Sequence, residues 1–143
     1  MNYQSSKGAI FHGYVSPKNL NGLAIPITLQ HLTLSNYCKS NNAIYRFPTG
    51  EFVPENSYFQ LFSLLKKLNN KSQVVMCSIY MLPFNENKLT KLKKIITQKK
   101  ITIHCVLENF ILKDVIQIEN MKLLKKIVSI ADTIEDLKIK KLY

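Results

Sequence analysis

The sequence predicts an open α/β fold: a parallel sheet of about four strands with helices on both faces. Three observations lead there. An apolar run, Ala9 to Val15, ends at Ser16 and is followed by a loop rich in Pro, Asn and Gly and then by a helix-like segment from Pro26 to Asn42. Three further short apolar runs follow, at about 43–47, 73–79 and 101–107. Their nearly continuous hydrophobicity suits strands covered on both faces. Segments with helical periodicity separate them, so the chain reads as β-α repeated four times.

Each helix has its own signature. In the second, Tyr58, Leu61, Leu65 and Leu68 fall on one stripe. In the third, Leu89, Leu92 and Ile96 form the apolar stripe while Lys88, Lys91 and Lys94 fill another face. In the last, Leu123, Ile127, Ile130 and Ile134 repeat at helical spacing with Met121, Leu124 and Val128 beside them, and Asp114 is placed to cap the helix. Right-handed crossovers then give strand order 2-1-3-4, a flavodoxin-like three-layer sandwich. The whole of 1–143 is expected to be one domain, with residues 1–8 flexible and the basic tail 138–143 fraying or docking as a short extra element.

A chain of 143 residues with 46% apolar and 20% charged residues can bury a real core. Its net charge of +11 points toward polyanions, but 19 of its 20 basic residues are lysine and Arg46 is the lone arginine. Base readout and bidentate phosphate contacts favour arginine's planar fork. The joint abundance of Lys, Asn and Ile fits an AT-rich genome, so nucleic acid is disfavoured as a partner. Cys38, Cys77 and Cys105 form no CxxC pair, and with His12, His31 and His104 they give no metal spacing. His12 and His104 are expected inside strands as hydrogen-bonded core residues, His31 on a helix surface. Gly13, Gly22 and Gly50 match neither dinucleotide nor P-loop fingerprints, so no cofactor is expected. With no signal-peptide core and no apolar run of bilayer length, the cytoplasm is the expected compartment and no membrane insertion is expected.

In a parallel sheet the loops after each strand converge on one edge, where ligands bind. That edge is expected to collect Tyr14, Ser16 and Lys18 from the first strand. Arg46, Glu51 and Asn56 follow from the second, Ser78 and Tyr80 from the third, Glu108 and Asn109 from the fourth. Ser16 is a candidate nucleophile or ligand contact, or simply turns the chain before Pro17. Glu108, ending an apolar strand, is a candidate acid/base. Arg46 is placed either to grip an anionic group or to pair with a local acid.

Two family resemblances rest on short blocks. Gly13-Tyr14-Val15-Ser16, Gln30, Asn36-Tyr37-Cys38 and the stretch Val74 to Leu82 resemble the catalytic domain of serine recombinases over residues 9–110. That family activates its serine and stabilises the phosphodiester transition state with several arginines. Here Tyr14, Tyr80-Met81-Leu82-Pro83 and Asn56 or Ser57 stand where arginines are usual. No separate DNA-binding domain is expected after residue 143. The resemblance implies a shared fold without shared chemistry.

Nearly the whole chain is also similar to the sporadic carbohydrate cluster proteins, encoded among bacterial surface-polysaccharide genes. The carrying blocks are Gly13 to Ser16, Ile25 to Gln30, Asn36-Tyr37-Cys38, Met76-Cys77-Ser78, Met81-Leu82-Pro83 and His104 to Asn109. Lys18 departs from the arginine expected there. This resemblance implies a cytoplasmic role in glycan assembly: binding or transforming a sugar, sugar acid or nucleotide-sugar at the strand ends. Whether turnover occurs is left open. The alternatives are a non-catalytic partner of a biosynthetic enzyme, using aromatics such as Phe52, Tyr58, Phe59 and Phe84, and a nucleic-acid binder on a resolvase-like fold. A homo-oligomer is compatible with each.

Overall fold

A computed structural model describes residues 8–20, 22–54 and 57–142. The expected flexible N-terminus falls mainly on residues outside these, as does Asn56. Strand β1 (Ile10–Val15) is followed by two short strands, β2 (Asn19–Leu20) and β3 (Leu23–Ala24). Helix α1 (Ile27–Ser40), strand β4 (Ile44–Gly50) and helix α2 (Phe59–Lys67) follow. Strand β5 (Gln73–Met76), a 3-10 turn (Ile79–Met81), helix α3 (Glu86–Lys99), strands β6 (Thr102–Cys105) and β7 (Phe110–Leu112), and helix α4 (Val115–Leu142) complete the order.

The central sheet runs β4-β1-β5-β6-β7. Its first four strands are mutually parallel, in register Phe11↔Gln73 and Val75↔His104, as the β-α repeat requires. The difference from the expected four-strand sheet is β7, which folds back antiparallel on β6 with Cys105 opposite Phe110. The turn between them places Asn109 at φ 50°, a left-handed conformation that Asn tolerates better than most residues. The pair β2-β3 forms a separate hairpin.

The core lies on both faces of the sheet. Leu34 and Cys38 of α1, Leu61, Phe62 and Leu65 of α2, and Leu89, Leu92 and Ile96 of α3 are buried against Val74, Val75, Met76 and Ile103. Burying each large side chain contributes about 1.5–3 kcal/mol before chain entropy is subtracted. Gly13 marks the closest approach of β1 and β4. A Cβ there would lie 2.7 Å from the Tyr45 ring and 2.8 Å from Pro48, and the register shifts beside it.

His104 is buried as expected. It is bonded to the Tyr37 hydroxyl at 2.8 Å and to Gln73 Oε1 at 2.7 Å, with Phe11 stacked on the ring at 4.6 Å. Burial, and then Lys113, hold its pKa below the ordinary histidine value. His12 is only half-buried, and His31 reaches the Tyr45 hydroxyl at 3.3 Å. All three cysteines are buried, and burial followed by the Glu108 charge pushes the Cys77 thiol up to about 11, away from reactivity.

Helix α4 corrects two expectations. Asp114 does cap it, accepting from Gln117 N at 3.1 Å while Gln117 Oε1 accepts from the Asp114 amide, a reciprocal capping box. The buried stripe, however, is Ile118 and Met121 with Leu124 beside them, whereas Leu123, Ile127, Ile130 and Ile134 face outward. The segment expected to be a basic tail continues the helix as far as Leu142. Lys93 to Glu119 at 3.0 Å and Lys122 to Glu86 at 3.4 Å tie the first half of α4 to α3. No helix among the described residues is long and apolar enough to cross a membrane.

Candidate functional site

The edge beyond the carboxyl ends of β1, β5 and β6 gathers most of the candidate residues into three polar clusters. In the first, Ser16 is fully buried where β1 gives way to the hairpin. The Gln30 side chain of α1 clamps its backbone, accepting from Ser16 N at 3.1 Å and donating to Ser16 O at 2.7 Å. The Ser16 Oγ accepts from Lys18 N at 3.3 Å, so the hydroxyl turns the chain before the hairpin.

The second cluster centres on Glu51, just past β4. One carboxylate oxygen takes the Phe52 and Gln60 amides and the Ser57 hydroxyl; the other takes the Leu61 amide and, at 2.9 Å, the hydroxyl of buried Tyr14. Glu51 therefore satisfies the open amides at the start of α2 and ties them to β1. Burial works to raise its pKa, but the Phe52, Leu61 and Gln60 amides and the Tyr14 hydroxyl outweigh this and hold the carboxyl below its ordinary value. Burial, then the Glu51 charge, pushes the Tyr14 phenol up.

In the third cluster the Ser78 hydroxyl donates to Glu108 Oε1 at 2.5 Å and Ile79 N donates to Glu108 Oε2 at 3.1 Å. Ser78 Oγ also accepts from Tyr80 N and so caps the 3-10 turn. Glu108 is half-buried. Asn109 serves as the turn residue into β7.

Arg46 does not join them. Strand β4 continues three residues beyond the expected end, so Arg46 lies near its start, opposite His12. With His12, Lys67, Asn69 and Lys71 it lines a groove that reaches the opposite edge of the sheet. Burial, and then Arg46, lower the His12 pKa. The expectation that Arg46, Ser16, Ser78 and Glu108 share one rim is thus corrected for Arg46.

The positive charge at the carboxyl edge comes instead from lysines: Lys18, which the sequence places there, and Lys88 and Lys125, which no local sequence signal marks as site residues. The buried Lys18 stretches its ammonium to the Ser57 carbonyl and lies 3.5 Å from the centre of the Tyr58 ring. Lys88 of α3 lies 5.2 Å from the same ring. Lys125 of α4 sits 2.8 Å from the centre of Phe84 and 4.7 Å from that of Tyr80. Tyr58, Phe84, Asn85, Lys88 and Lys125 line an open groove of about 410 Å³, and a second groove of about 590 Å³ begins on the far side of Phe84 and Lys125. Such volumes suit a small organic ligand. Charge with aromatic faces can hold an anionic group beside a ring.

With this geometry in view, comparison with known proteins is informative about fold. No protein-family model matches the chain, and no curated protein matches it in sequence. The solved structures similar to it include two recombinases. The N-terminal catalytic domain of TP901-1 integrase shares 13% identity at a TM-score of 0.59, covering 88% of this chain and 98% of that one. A resolvase family site-specific recombinase from Streptococcus pneumoniae shares 10% identity at a TM-score of 0.56, covering 91% and 94%. The chain therefore has the fold seen in recombinase catalytic domains, as the Gly13 to Ser16 resemblance implied. The carbohydrate-cluster resemblance receives no support from these comparisons.

Proposed function

We propose that this protein binds a small anionic ligand carrying a ring, of the sugar acid, sugar phosphate or nucleotide-sugar class, across the carboxyl edge of its sheet. The observation that carries this reading is the meeting of Lys88 and Lys125 with Tyr58 and Phe84 in one groove, with Lys18 also against the Tyr58 ring. The lysines supply charge, the rings supply an apolar surface, and Glu108 with Ser78 lies beside them to accept or donate to hydroxyls. The surface-carbohydrate setting implied by the sequence resemblance is compatible with such a ligand. A phosphodiester-cleaving role is disfavoured by the buried Ser16, whose Oγ is engaged by Lys18 N, and by the placement of Arg46 at the other edge.

Thermal unfolding against a panel of sugar acids, sugar phosphates and nucleotide-sugars tests the reading. A ligand at 100 times its Kd adds about 2.7 kcal/mol, several degrees in Tm. Lys88→Met should remove most of that gain; a panel without any shift overturns the proposal. If the ligand is also turned over with Glu108 as acid or base, Glu108→Gln should lower the rate by about 10²–10⁴-fold.

A second reading, docking on a biosynthetic partner, is favoured by one observation. Phe47, Phe52, Val53 and Phe59 are exposed near the β4–α2 connection, with Phe52 and Phe59 stacked at 6.1 Å. Nucleic-acid binding on this fold is a third, checked by salt-dependent retention on DNA.

A further inference from the structure

Resting on the anionic-ligand reading of the same groove, we propose that Lys125 is a nucleophilic amine that condenses with the carbonyl group of an aldehyde or keto ligand whose anionic group is held by Lys88. Three features of its surroundings carry this. First, its Nζ is wedged against two aromatic faces, Phe84 at 2.8 Å and Tyr80 at 4.7 Å. Second, among the described residues no carboxylate oxygen lies within ion-pair distance of it, in contrast to Lys122 three residues earlier on the same helix, which reaches Glu86 at 3.4 Å. The acid whose charge acts on it, Glu108, has its two oxygens engaged by Ser78 and Ile79. Third, it lines both grooves that meet at Phe84, so a ligand in either has access to the amine.

Burial pushes the Lys125 amine down to about 7, with Glu108 acting in the opposite direction. Burial thus favours the unprotonated amine far more than in a solvated lysine, which is almost wholly charged at neutral pH. Desolvation of this kind is how lysine becomes a nucleophile. Among the described residues the charged groups around it are Glu108 beyond β6, Glu86 and Lys88 on α3, and Glu119, Lys122, Lys126 and Asp132 on its own helix; Glu119 is paired with Lys93 at 3.0 Å.

The step balances without an oxidant or reductant. The Nζ lone pair forms a bond to the carbonyl carbon, the carbon–oxygen bond breaks, and the oxygen departs as water with the two amine protons, leaving a neutral imine. Water reverses it.

Pyridoxal 5′-phosphate, an aldehyde bearing a phosphate, is a direct probe, with pyridoxal as its phosphate-free counterpart. Each is incubated with the protein, the imine is reduced by borohydride, and the modified lysines are located by peptide mass spectrometry. Lys125 should be modified at least tenfold more than the average of the other lysines at pH 7, with a midpoint of labelling near that pH. Lys88→Met should lower labelling by the phosphate-bearing probe and leave pyridoxal labelling unchanged. Lys125→Arg, with folding checked by its thermal transition, should abolish the preferential product. Labelling spread evenly over surface lysines overturns the proposal, as does a midpoint near that of ordinary lysine. Inorganic phosphate and sugar phosphates followed by thermal shift separate the two readings. Stabilisation by these anions with even labelling removes the nucleophile and keeps the anion groove; neither effect removes both.

Discussion

Two lysines, Lys99 and Lys125, set the two edges of the sheet apart. At the amino edge, Lys99 at the end of α3 extends its ammonium to the carbonyls of Leu65, Lys66 and Leu68, at 3.0, 2.5 and 2.9 Å, closing the carboxyl end of α2. At the carboxyl edge, Lys125 ends on the faces of Phe84 and Tyr80. The residue type is the same, and so is the surrounding excess of positive charge. In one place the cation completes the hydrogen bonding of a helix terminus. In the other it lines a groove and is held in a poorly solvating environment that, among the described residues, offers no carboxylate at contact distance. A charge with its bonding fulfilled belongs to the scaffold, and a charge kept against apolar rings is available to a ligand.

The carboxylates sharpen the same contrast within the carboxyl edge. Both carboxylates have their two oxygens engaged, but buried Glu51 takes five donors from three segments of the chain whereas half-buried Glu108 takes two, so Glu51 bears more of the fold. Glu51→Ala should strip the start of α2 and Tyr14 of their acceptor and destabilise the fold by about 2–4 kcal/mol. Urea denaturation measures this, and a loss below about 0.5 kcal/mol would erase the distinction from half-buried Glu108. Next in size, Lys99→Met should cost about 1–2 kcal/mol by freeing the α2 carbonyls, while Lys125→Met should leave stability unchanged or raised, because it removes a poorly solvated amine. Equal losses for the two would show that their roles do not differ. The smallest effect is a pH dependence. In the folded protein His104 titrates below its ordinary value of 6.5, so at and below that pH the unfolded chain binds more protons than the folded one. Stability present above pH 6.5 should therefore be lost as the pH falls toward the folded pKa, with half-buried His12 adding in the same sense. His104→Gln should flatten the slope measured between pH 7.5 and 5.5.

Much of this architecture was legible because hydrophobic runs and helical stripes are local signals. The four parallel strands, the capping by Asp114 and the buried faces of α2 and α3 follow from them. The apolar run at 43–47 ends before Pro48 and Gly50, which are poor strand formers, but an edge strand tolerates proline; the extension of β4 to Gly50 sets Arg46 near the start of the strand and so at the other edge. The hairpin of β2 and β3 has a short local signal in sequence, an Asn-Gly pair between two apolar steps. Strand β7 has three residues, too few for alternation to register. In α4 two apolar stripes compete, and only tertiary packing selects Ile118 and Met121. Lys125 was invisible for another reason: beside Lys126, in a chain with 19 lysines, nothing local distinguishes it, and its character comes from Phe84 and Tyr80, more than forty positions away.

The borders of the central sheet have a consequence for behaviour in crowded solution. Along β4 the outermost ladder lacks a donor at Pro48 and carries the Arg46 charge, while at the other border β7 offers three residues of backbone. Neither border gives an incoming chain a long, uninterrupted template on which to extend the ladder, which disfavours growth by strand addition at both sides.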